Sequence, residues 1–230
     1  HSYAALANEI NMYTGGIGSS IGIYPNVKKQ GEIGLYYEVR TKVLASRLPD
    51  AMRLIKEILL TSHLADEKRI YEILAQLKSR LQAGLSASGH SVAYTRALSY
   101  FSTAAYCQDA TAGIACYRVI ADYEEHFEEK KDALRAKLQE LTEALFCKEG
   151  LFVSLTCDVD GLEAMREPFT GFYEALPCAP AALKENTLVL SRKNEGFTTA
   201  GQVQYVARAG NFVKEGFAYT GLLQIVKVMM

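Results

Sequence analysis

The hydrophobic pattern of the sequence changes abruptly within residues 13–20, Tyr-Thr-Gly-Gly-Ile-Gly-Ser-Ser. Before this stretch, Leu6, Ile10 and Tyr13 recur at the spacing of one helix face. After it, every second residue falls on one face of a strand, namely Ile17, Ser19, Ile21 and Ile23. Two adjacent glycines between the patterns allow a sharp turn where a side chain would clash. The sequence therefore predicts a helix, a turn and a strand in immediate succession.

A second strand is predicted after the turn-rich residues 24–31. Its apolar residues alternate cleanly with the remaining ones and are Ile33, Leu35, Tyr37 and Val39. Such alternation is typical of an antiparallel strand with one face on a core. The two strands together predict a hairpin.

Helical patterns dominate the sequence from residue 49 to residue 176. We expect helices to begin at Pro49 and after Asp66, and further helices over 90–102, 111–123 and through the leucines at 134–145. A glycine and serine break is expected at 83–89, a strand at 151–157 and a helix from 158 toward 176. This order predicts an α+β fold with a mainly antiparallel sheet and helices packed on one face.

The expected domain boundary lies at 178–182, where two prolines within 177–182 and small residues favour a linker. Residues 1–177 then form one α/β domain. Residues 183–230 carry a predicted strand at 202–208 and a predicted helix at 219–229, but they are too few for an independent core. We therefore expect 183–230 to be the beginning of a second, similar domain.

Composition excludes several classes of protein. With 49% hydrophobic residues in 25.4 kDa, the chain can bury roughly 70–75% of its unfolded surface, so disorder is not expected. Its 25 basic and 26 acidic residues are spread evenly, which argues against nucleic acid as a partner. The apolar tail from Gly221 is interrupted by Gln224 and Lys227, and we expect no membrane partner.

The five cysteines are odd in number and include no C-x-x-C pair, which favours buried, reduced thiols in a cytosol-like compartment. We therefore expect a cytoplasmic protein. Residues 1–10 show no targeting pattern and already read as part of a helix. The true amino terminus is expected to lie upstream.

One segment comes close to a zinc motif. His126-Phe-Glu-Glu129-Lys130 matches two of the three fixed positions of H-x-x-E-H. Zinc needs a second imidazole at the last position, where the ammonium of Lys130 would repel the ion. We interpret residues 124–131 as a solvated helix surface.

Glycines and aspartates suggest two other sites that we reject. Gly16 and Gly18 lack a third glycine, because Ile21 stands in its place, and the order helix then strand is opposite to that of a dinucleotide site. Asp158-x-Asp160-Gly161 resembles a calcium loop but has Phe169 at the twelfth position. A turn and a helix cap explain it better.

Ser86, Ser88 and His90 are close in sequence, yet no nucleophile elbow surrounds them and no acid is placed to orient the histidine. We interpret the serines as flexible or helix-starting residues. The sequence thus assigns no catalytic, cofactor-binding or metal-ligating residue.

Three tracts carry a family resemblance: residues 3–23 with Tyr-Thr-Gly-Gly-Ile, residues 89–102 (GHSVAYTRALSYFS) and residues 201–212 (GQVQYVARAGNF). Together they resemble the insulinase-type (inverzincin) zinc metallopeptidases, in particular the presequence-protease branch of bacteria and organelles. The resemblance spans nearly the whole chain. In order and spacing the three tracts agree with that family.

The resemblance implies an enzyme of two halves that close on a peptide, each half holding two similar α/β domains. It implies that zinc lies on H-x-x-E-H in the first domain, with the glutamate as general base. It places residues 1–177 on the third domain, without its opening strand, and 183–230 on the start of the fourth. An arginine and a tyrosine that such enzymes direct at the substrate would follow Met230.

We therefore expect a non-catalytic segment of a zinc-dependent metalloendopeptidase that degrades short unstructured peptides, forming part of the wall of a closed substrate chamber. Its expected partners are the remaining domains of the same polypeptide and the peptide substrates. Zinc would belong to the parent enzyme alone, in a bacterial cytoplasm or an organelle matrix. The alternative is a catalytically silent scaffold or interaction protein of the same fold.

Overall fold

The computed structural model describes residues 3–26, 28–29, 31–178, 188–198, 202–218 and 220–229. Across these residues the chain forms helices and one two-stranded antiparallel sheet, which confirms the α+β class. The elements are α1 (Tyr3–Tyr13), β1 (Ile17–Pro25), β2 (Ile33–Thr41), a short 3₁₀ helix (Ala45–Arg47), α2 (Leu48–Thr61), α3 (Glu67–Ala87), α4 (Gly89–Leu98), α5 (Thr103–Ala112), α6 (Ile114–Glu125), α7 (Phe127–Leu145), α8 (Val159–Ala175) and α9 (Leu222–Met229). None of these helices combines the length and apolar character needed to cross a bilayer.

The chain divides into two compact units that each combine separate stretches. The first unit comprises residues 1–22, 35–75 and 122–186, and the second comprises 23–34, 76–121 and 187–230. The predicted linker at 178–182 lies outside the described residues except for Cys178. The domain boundary at that linker therefore stays a prediction.

The predicted turn between α1 and β1 is confirmed. Gly16 has φ of +106°, a conformation that favours glycine because it has no Cβ. The backbone N–H of Gly15 donates to the carbonyl of Lys42 at 2.7 Å, and the hydroxyl of Thr41 donates to the carbonyl of Gly16 at 2.9 Å. These bonds tie the start of β1 to the end of β2 and fix the register of the hairpin.

The face of β2 that was expected on a core is only partly covered. Ile33 and Val39 are half-buried, whereas Leu35 is 54% exposed. Tyr37 contacts Phe146 edge to face, with ring centroids 5.4 Å apart. The hairpin thus contributes little to the buried core of the described residues.

The core of the first unit lies between α2 and α8. Met52 of α2 packs with Phe172 and Leu176, and Leu54 is fully buried. The spacing of Ala51, Met52 and Leu54 places them on the inward side of a helix that begins, as predicted, at Pro49. Each fully buried side chain of this kind stabilises the fold by about 1.5–3 kcal/mol.

Helix α3 begins where the sequence predicted, because the carboxylate of Asp66 accepts a hydrogen bond from the N–H of Arg69 at 3.0 Å. Within the first unit, Tyr71 of α3 contacts Phe127 of α7 at 5.3 Å between ring centroids. The glycine and serine break predicted at 83–89 is wrong for most of its length, because α3 continues to Ala87. An isolated glycine inside a helix costs only about 1 kcal/mol relative to alanine, which the surrounding helix tolerates.

The helices of the second unit differ from prediction at their ends. Helix α4 ends at Leu98, and the helix predicted at 111–123 is interrupted at Gly113. There the side chain of Asp109 bonds to the N–H of Ile114 at 3.0 Å and so caps the start of α6. A Cβ on Gly113 would lie 2.4 Å from that carboxylate, so the close approach requires glycine.

The strands predicted at 151–157 and 202–208 are wrong: the described residues in both segments form neither strand nor helix. Phe152 and Val206, which alternate as in a strand, are 79% and 93% exposed. Alternation shows which residues would share a face, but strand formation also needs a neighbouring strand to complete the hydrogen bonds. The predicted helices toward Leu176 and Met229 are confirmed as α8 and α9.

Candidate functional site

The zinc-like segment forms a charged cluster at a helix junction. His126 lies between α6 and α7, with its Nδ1 3.3 Å from Oδ1 of Asp122. Lys130 donates to the same carboxylate at 2.6 Å, and this hydrogen bond is the main reason that the pKa of Asp122 is lowered. Over the ranges that the structure describes, no three His, Cys, Asp or Glu side chains are grouped to hold a metal ion. The residues of this segment do not fit zinc.

The other rejected patterns have structural roles. Asp158 accepts a hydrogen bond from the N–H of Gly161 at 2.8 Å, which confirms it as the N-cap of α8. Ser88 precedes the first residue of α4, while Ser86 lies inside α3. His90 faces Tyr205, with ring centroids 6.2 Å apart. These serines do not form a site with the histidine.

All five cysteines carry free thiols. Cys107 and Cys147 are buried and Cys116 is half-buried, as expected, and burial raises the pKa of the Cys107 and Cys116 thiols. The expectation of burial is wrong for Cys157 and Cys178, which are exposed. Burial therefore accounts for only part of the cysteine content.

The most developed polar arrangement lies in the second unit around Arg96 of α4. Its Nη1 donates to Asp109 of α5 at 2.6 Å, and its Nε donates to Glu195 at 2.8 Å. The hydroxyl of Tyr100 also donates to Glu195. We call these four residues, Arg96, Tyr100, Asp109 and Glu195, the Arg96 clasp.

The clasp stabilises its members in their charged forms. Its carboxylates raise the pKa of Arg96, with the hydrogen bond to Glu195 contributing most. The guanidinium and Tyr100 in turn hold the pKa of Glu195 at about 2. The Asp109 side chain is only 3% exposed, so its charge depends on the neighbouring guanidinium. The clasp is therefore a buried charge network rather than a surface ion pair.

Phe197 completes the attachment of residues 188–198 to the helices. The guanidinium of Arg118, from α6, lies 5.0 Å from the Phe197 ring centroid, and that of Arg96 lies 6.0 Å away. Both distances are within the range of cation–π attraction. Charge and ring contacts together fix this segment onto α4, α5 and α6.

A cavity lies beside the clasp within the same unit and has a volume of about 360 Å³. We call it the phenylalanine cavity, because three phenylalanine rings contribute to its wall. It is lined by Phe101, Arg192, Ala209, Gly210, Asn211, Phe212, Glu215 and Phe217. Apolar cavities with a few polar groups are typical of ligand sites.

Asn211 holds the wall of this cavity in place. Its Nδ2 donates to the carbonyl of Phe101 at 3.3 Å, and its Oδ1 accepts from the N–H groups of Val213 and Lys214. Gly216, with φ of +90°, closes the turn that carries Phe212. The cavity is thus formed before any ligand binds.

Arg192 and Glu215 lie at the mouth of the cavity. The guanidinium of Arg192 stacks 5.3 Å from the Phe101 ring centroid, and its Nη2 is 3.7 Å from Oε1 of Glu215. Both side chains are largely exposed. The mouth therefore presents one cationic donor and one anionic acceptor side by side.

A second cavity, of about 480 Å³, lies at the glycine turn and is lined by residues 15–18 and 40–42. It is open and shaped mainly by the backbone of the hairpin base. Sequence analysis did not identify either cavity or the clasp. A signal was present, because Arg96, Tyr100 and Phe101 belong to the tract 89–102 and the lining residues 209–212 belong to the tract 201–212.

Comparison with known proteins agrees with the resemblance in these tracts. The chain is 29% identical to Protein HypA of Clostridium perfringens (strain 13 / Type A) over 100% of its length and 23% of that protein. It is 25% identical to Presequence protease 1, chloroplastic/mitochondrial, of Arabidopsis thaliana, over 98% of the chain and 21% of the relative. Presequence protease, mitochondrial, of Eremothecium gossypii is 25% identical over 67% of the chain and 16% of the relative.

The chain thus spans about a fifth of the length of the curated relatives that it matches. The family model for the peptidase-associated region of subfamily C of the insulinase-type peptidases matches residues 1–123, more than half of the chain. The same residues include the glycine turn, the hairpin and the helices that carry much of the clasp. The chain therefore belongs to this peptidase-associated family, and it is a presequence-protease-like member of the insulinase-type peptidases.

Proposed function

We propose that this chain is a non-catalytic segment of a zinc-dependent metalloendopeptidase that degrades short unstructured peptides. It would form part of the wall of a closed substrate chamber. The observation that carries the proposal is the match to presequence proteases over 98% of the chain but only 21% of the relative. A relative of that length has room for a zinc site outside the matching region.

The charged cluster at residues 122–130 supports a structural role for this part of the polypeptide. Lys130 stands where the inverted zinc motif needs its second histidine, and it is engaged with Asp122. In the parent enzyme, zinc would polarise the scissile carbonyl and activate a water molecule. The residues of this chain would enclose the peptide and exclude folded proteins by size.

The proposal includes partners and a compartment. The rest of the same polypeptide would complete the chamber, and unstructured peptides would be its substrates. We favour a bacterial cytoplasm, since the match to a protein of Clostridium perfringens covers the whole chain. An organelle matrix would suit the chloroplast and mitochondrial relatives.

The test compares the full-length polypeptide with the 230-residue chain. Both are assayed for bound zinc by elemental analysis and for cleavage of an unstructured, internally quenched peptide. We expect zinc and chelator-sensitive cleavage in the full-length polypeptide, and neither in the shorter chain. Tightly bound zinc with chelator-sensitive cleavage in the shorter chain would contradict a non-catalytic role, and a full-length polypeptide without zinc would contradict the peptidase itself.

A further inference from the structure

We infer that the phenylalanine cavity binds one aromatic side chain of an extended peptide, while Arg192 and Glu215 pair with the backbone of that residue. This inference rests on the proposed function for the class of ligand, an unstructured peptide. It adds a specific subsite to it. The cavity lies entirely within the second unit, so its geometry depends on that unit alone.

The size and chemistry of the cavity fit a single large apolar side chain. Its volume of about 360 Å³ is near the lower end of the range for small-ligand sites, roughly 300–1,000 Å³. Phe101, Phe212 and Phe217 offer ring faces and edges, and aromatic pairs gain stability beyond the burial of their area. An aromatic residue of the peptide would use both contributions.

The exposure of the rings indicates that they are available to a ligand. Phe217 is 68% exposed and Phe212 is 41% exposed, although the turn that carries them is fixed by hydrogen bonds. An apolar patch held rigidly against solvent is typical of binding sites. Because Asn211 already orders this turn, binding a peptide would not require ordering it again.

The mouth of the cavity complements a peptide backbone. Arg192 and Glu215 are 3.7 Å apart, which is longer than the roughly 2.7–3.2 Å of a good hydrogen bond, so each keeps hydrogen-bonding capacity. The N–H and C=O groups of one extended residue point to the same side of the chain with a comparable separation. Arg192 would donate to the C=O and Glu215 would accept from the N–H, while the side chain enters between the phenylalanines.

The binding test uses two fluorescein-labelled glycine-serine peptides that differ only in a central tryptophan or alanine. Fluorescence anisotropy measures their binding to the 230-residue chain. The chain contains no tryptophan, so the emission of the peptide tryptophan reports its burial directly. We expect saturable binding and a blue-shifted emission for the tryptophan peptide, and binding weaker by at least about tenfold for the alanine peptide.

Variants of the chain locate the site. Phe217→Ala should weaken binding of the tryptophan peptide by about tenfold, and Glu215→Gln by about threefold, since a rim contact contributes less than a buried one. Phe152→Ala is the matched control, because Phe152 is 79% exposed and lies in the first unit. Unchanged circular dichroism and thermal midpoints would show that these exposed substitutions leave the fold intact.

Each outcome has a consequence for the inference. Equal affinity for the two peptides, or an unchanged affinity in Phe217→Ala, would overturn it. Sedimentation velocity showing that a second copy covers the cavity and that peptide does not displace it would also overturn it. Failure of these measurements beside chelator-sensitive cleavage by the full-length polypeptide would reject the subsite alone, whereas peptide binding beside a zinc-free full-length polypeptide would reject the proposed peptidase alone.

Discussion

The core between α2 and α8 and the Arg96 clasp hold their respective units together by different interactions. In the first unit, Leu54, Met52 and Phe172 exclude water from an apolar contact that contains no charged side chain among its clustered residues. In the second unit, Arg96 fixes Asp109 and Glu195 through charged hydrogen bonds. Apolar packing tolerates small shifts of a side chain, whereas the clasp depends on the positions of a few atoms.

The difference has a consequence for how each region fails. Loss of a methyl group from the apolar core leaves a cavity that neighbours can partly fill. Loss of one partner in the clasp leaves a buried charge without compensation, which neighbours cannot correct by moving closer. Substitutions in the two regions should therefore differ in their cost and in their dependence on pH.

The largest effect is expected for Arg96→Met. Removing the guanidinium leaves the carboxylate of Asp109 buried without its cation, which should lower the free energy of unfolding by roughly 3–5 kcal/mol. Urea unfolding measures the loss, and hydrogen exchange should show faster exchange in α4 and in residues 188–198. The matched control Arg166→Met removes an exposed ion pair with Glu163 and should cost less than about 0.5 kcal/mol. Equal costs for the two substitutions would contradict a structural role of the clasp.

Leu54→Ala should destabilise the first unit by roughly 2–5 kcal/mol, because Leu54 is completely buried and its truncation adds a cavity to the lost burial. The same urea experiment measures the effect, with hydrogen exchange rising in α2 and α8. Leu44→Ala is the control, since Leu44 is 75% exposed and its truncation should cost under about 0.5 kcal/mol. The cost of Leu54→Ala should not vary between neutral and acidic pH. A strong pH dependence would blur the distinction between the two regions.

Glu195→Gln should cost about 1.5 kcal/mol at neutral pH, the contribution of a hydrogen bond to a charged group. The pKa of Glu195 is about 2 in the folded chain, below its ordinary value of 4.5, because Arg96 and Tyr100 stabilise the carboxylate. A depressed pKa means that this stabilisation is complete above pH 4.5 and is lost as the pH falls toward 2. The stability difference between wild type and Glu195→Gln should therefore be constant above about pH 5 and shrink below it.

Urea unfolding at several pH values checks this dependence, and Glu215→Gln provides the control at an exposed carboxylate. A difference between wild type and Glu195→Gln that grows as the pH falls would show that Glu195 is not stabilised in its charged form. In that case the contrast between an apolar and an electrostatic unit would not hold.

Local chemistry explains which parts of the fold the sequence could predict. The turn at residues 15–16, the caps Asp66 and Asp158 and the inward spacing on α2 act within one element, so the order of residues contains them. The strands expected at 151–157 and 202–208 depended on a partner strand, which periodicity does not supply. The break at Gly113 depended on a side chain of the preceding helix.

The candidate site depends even more on long-range contacts. Arg96 and Glu195 are 99 positions apart, and Asn211 reaches Phe101 over 110 positions. Neither pair shows a spacing that a local rule would recognise. The family resemblance at 89–102 and 201–212 marked the regions concerned, but it did not indicate that they meet around one cavity.

Because a single guanidinium serves both Asp109 and Glu195, these two acids influence each other without touching. Replacing either one changes the charge that the other experiences, so the effects of a double replacement should not equal the sum of the single ones. A substitution inside a helix can thus alter how firmly a distant stretch of backbone is held. Variation at any one of these positions constrains what the other two can become.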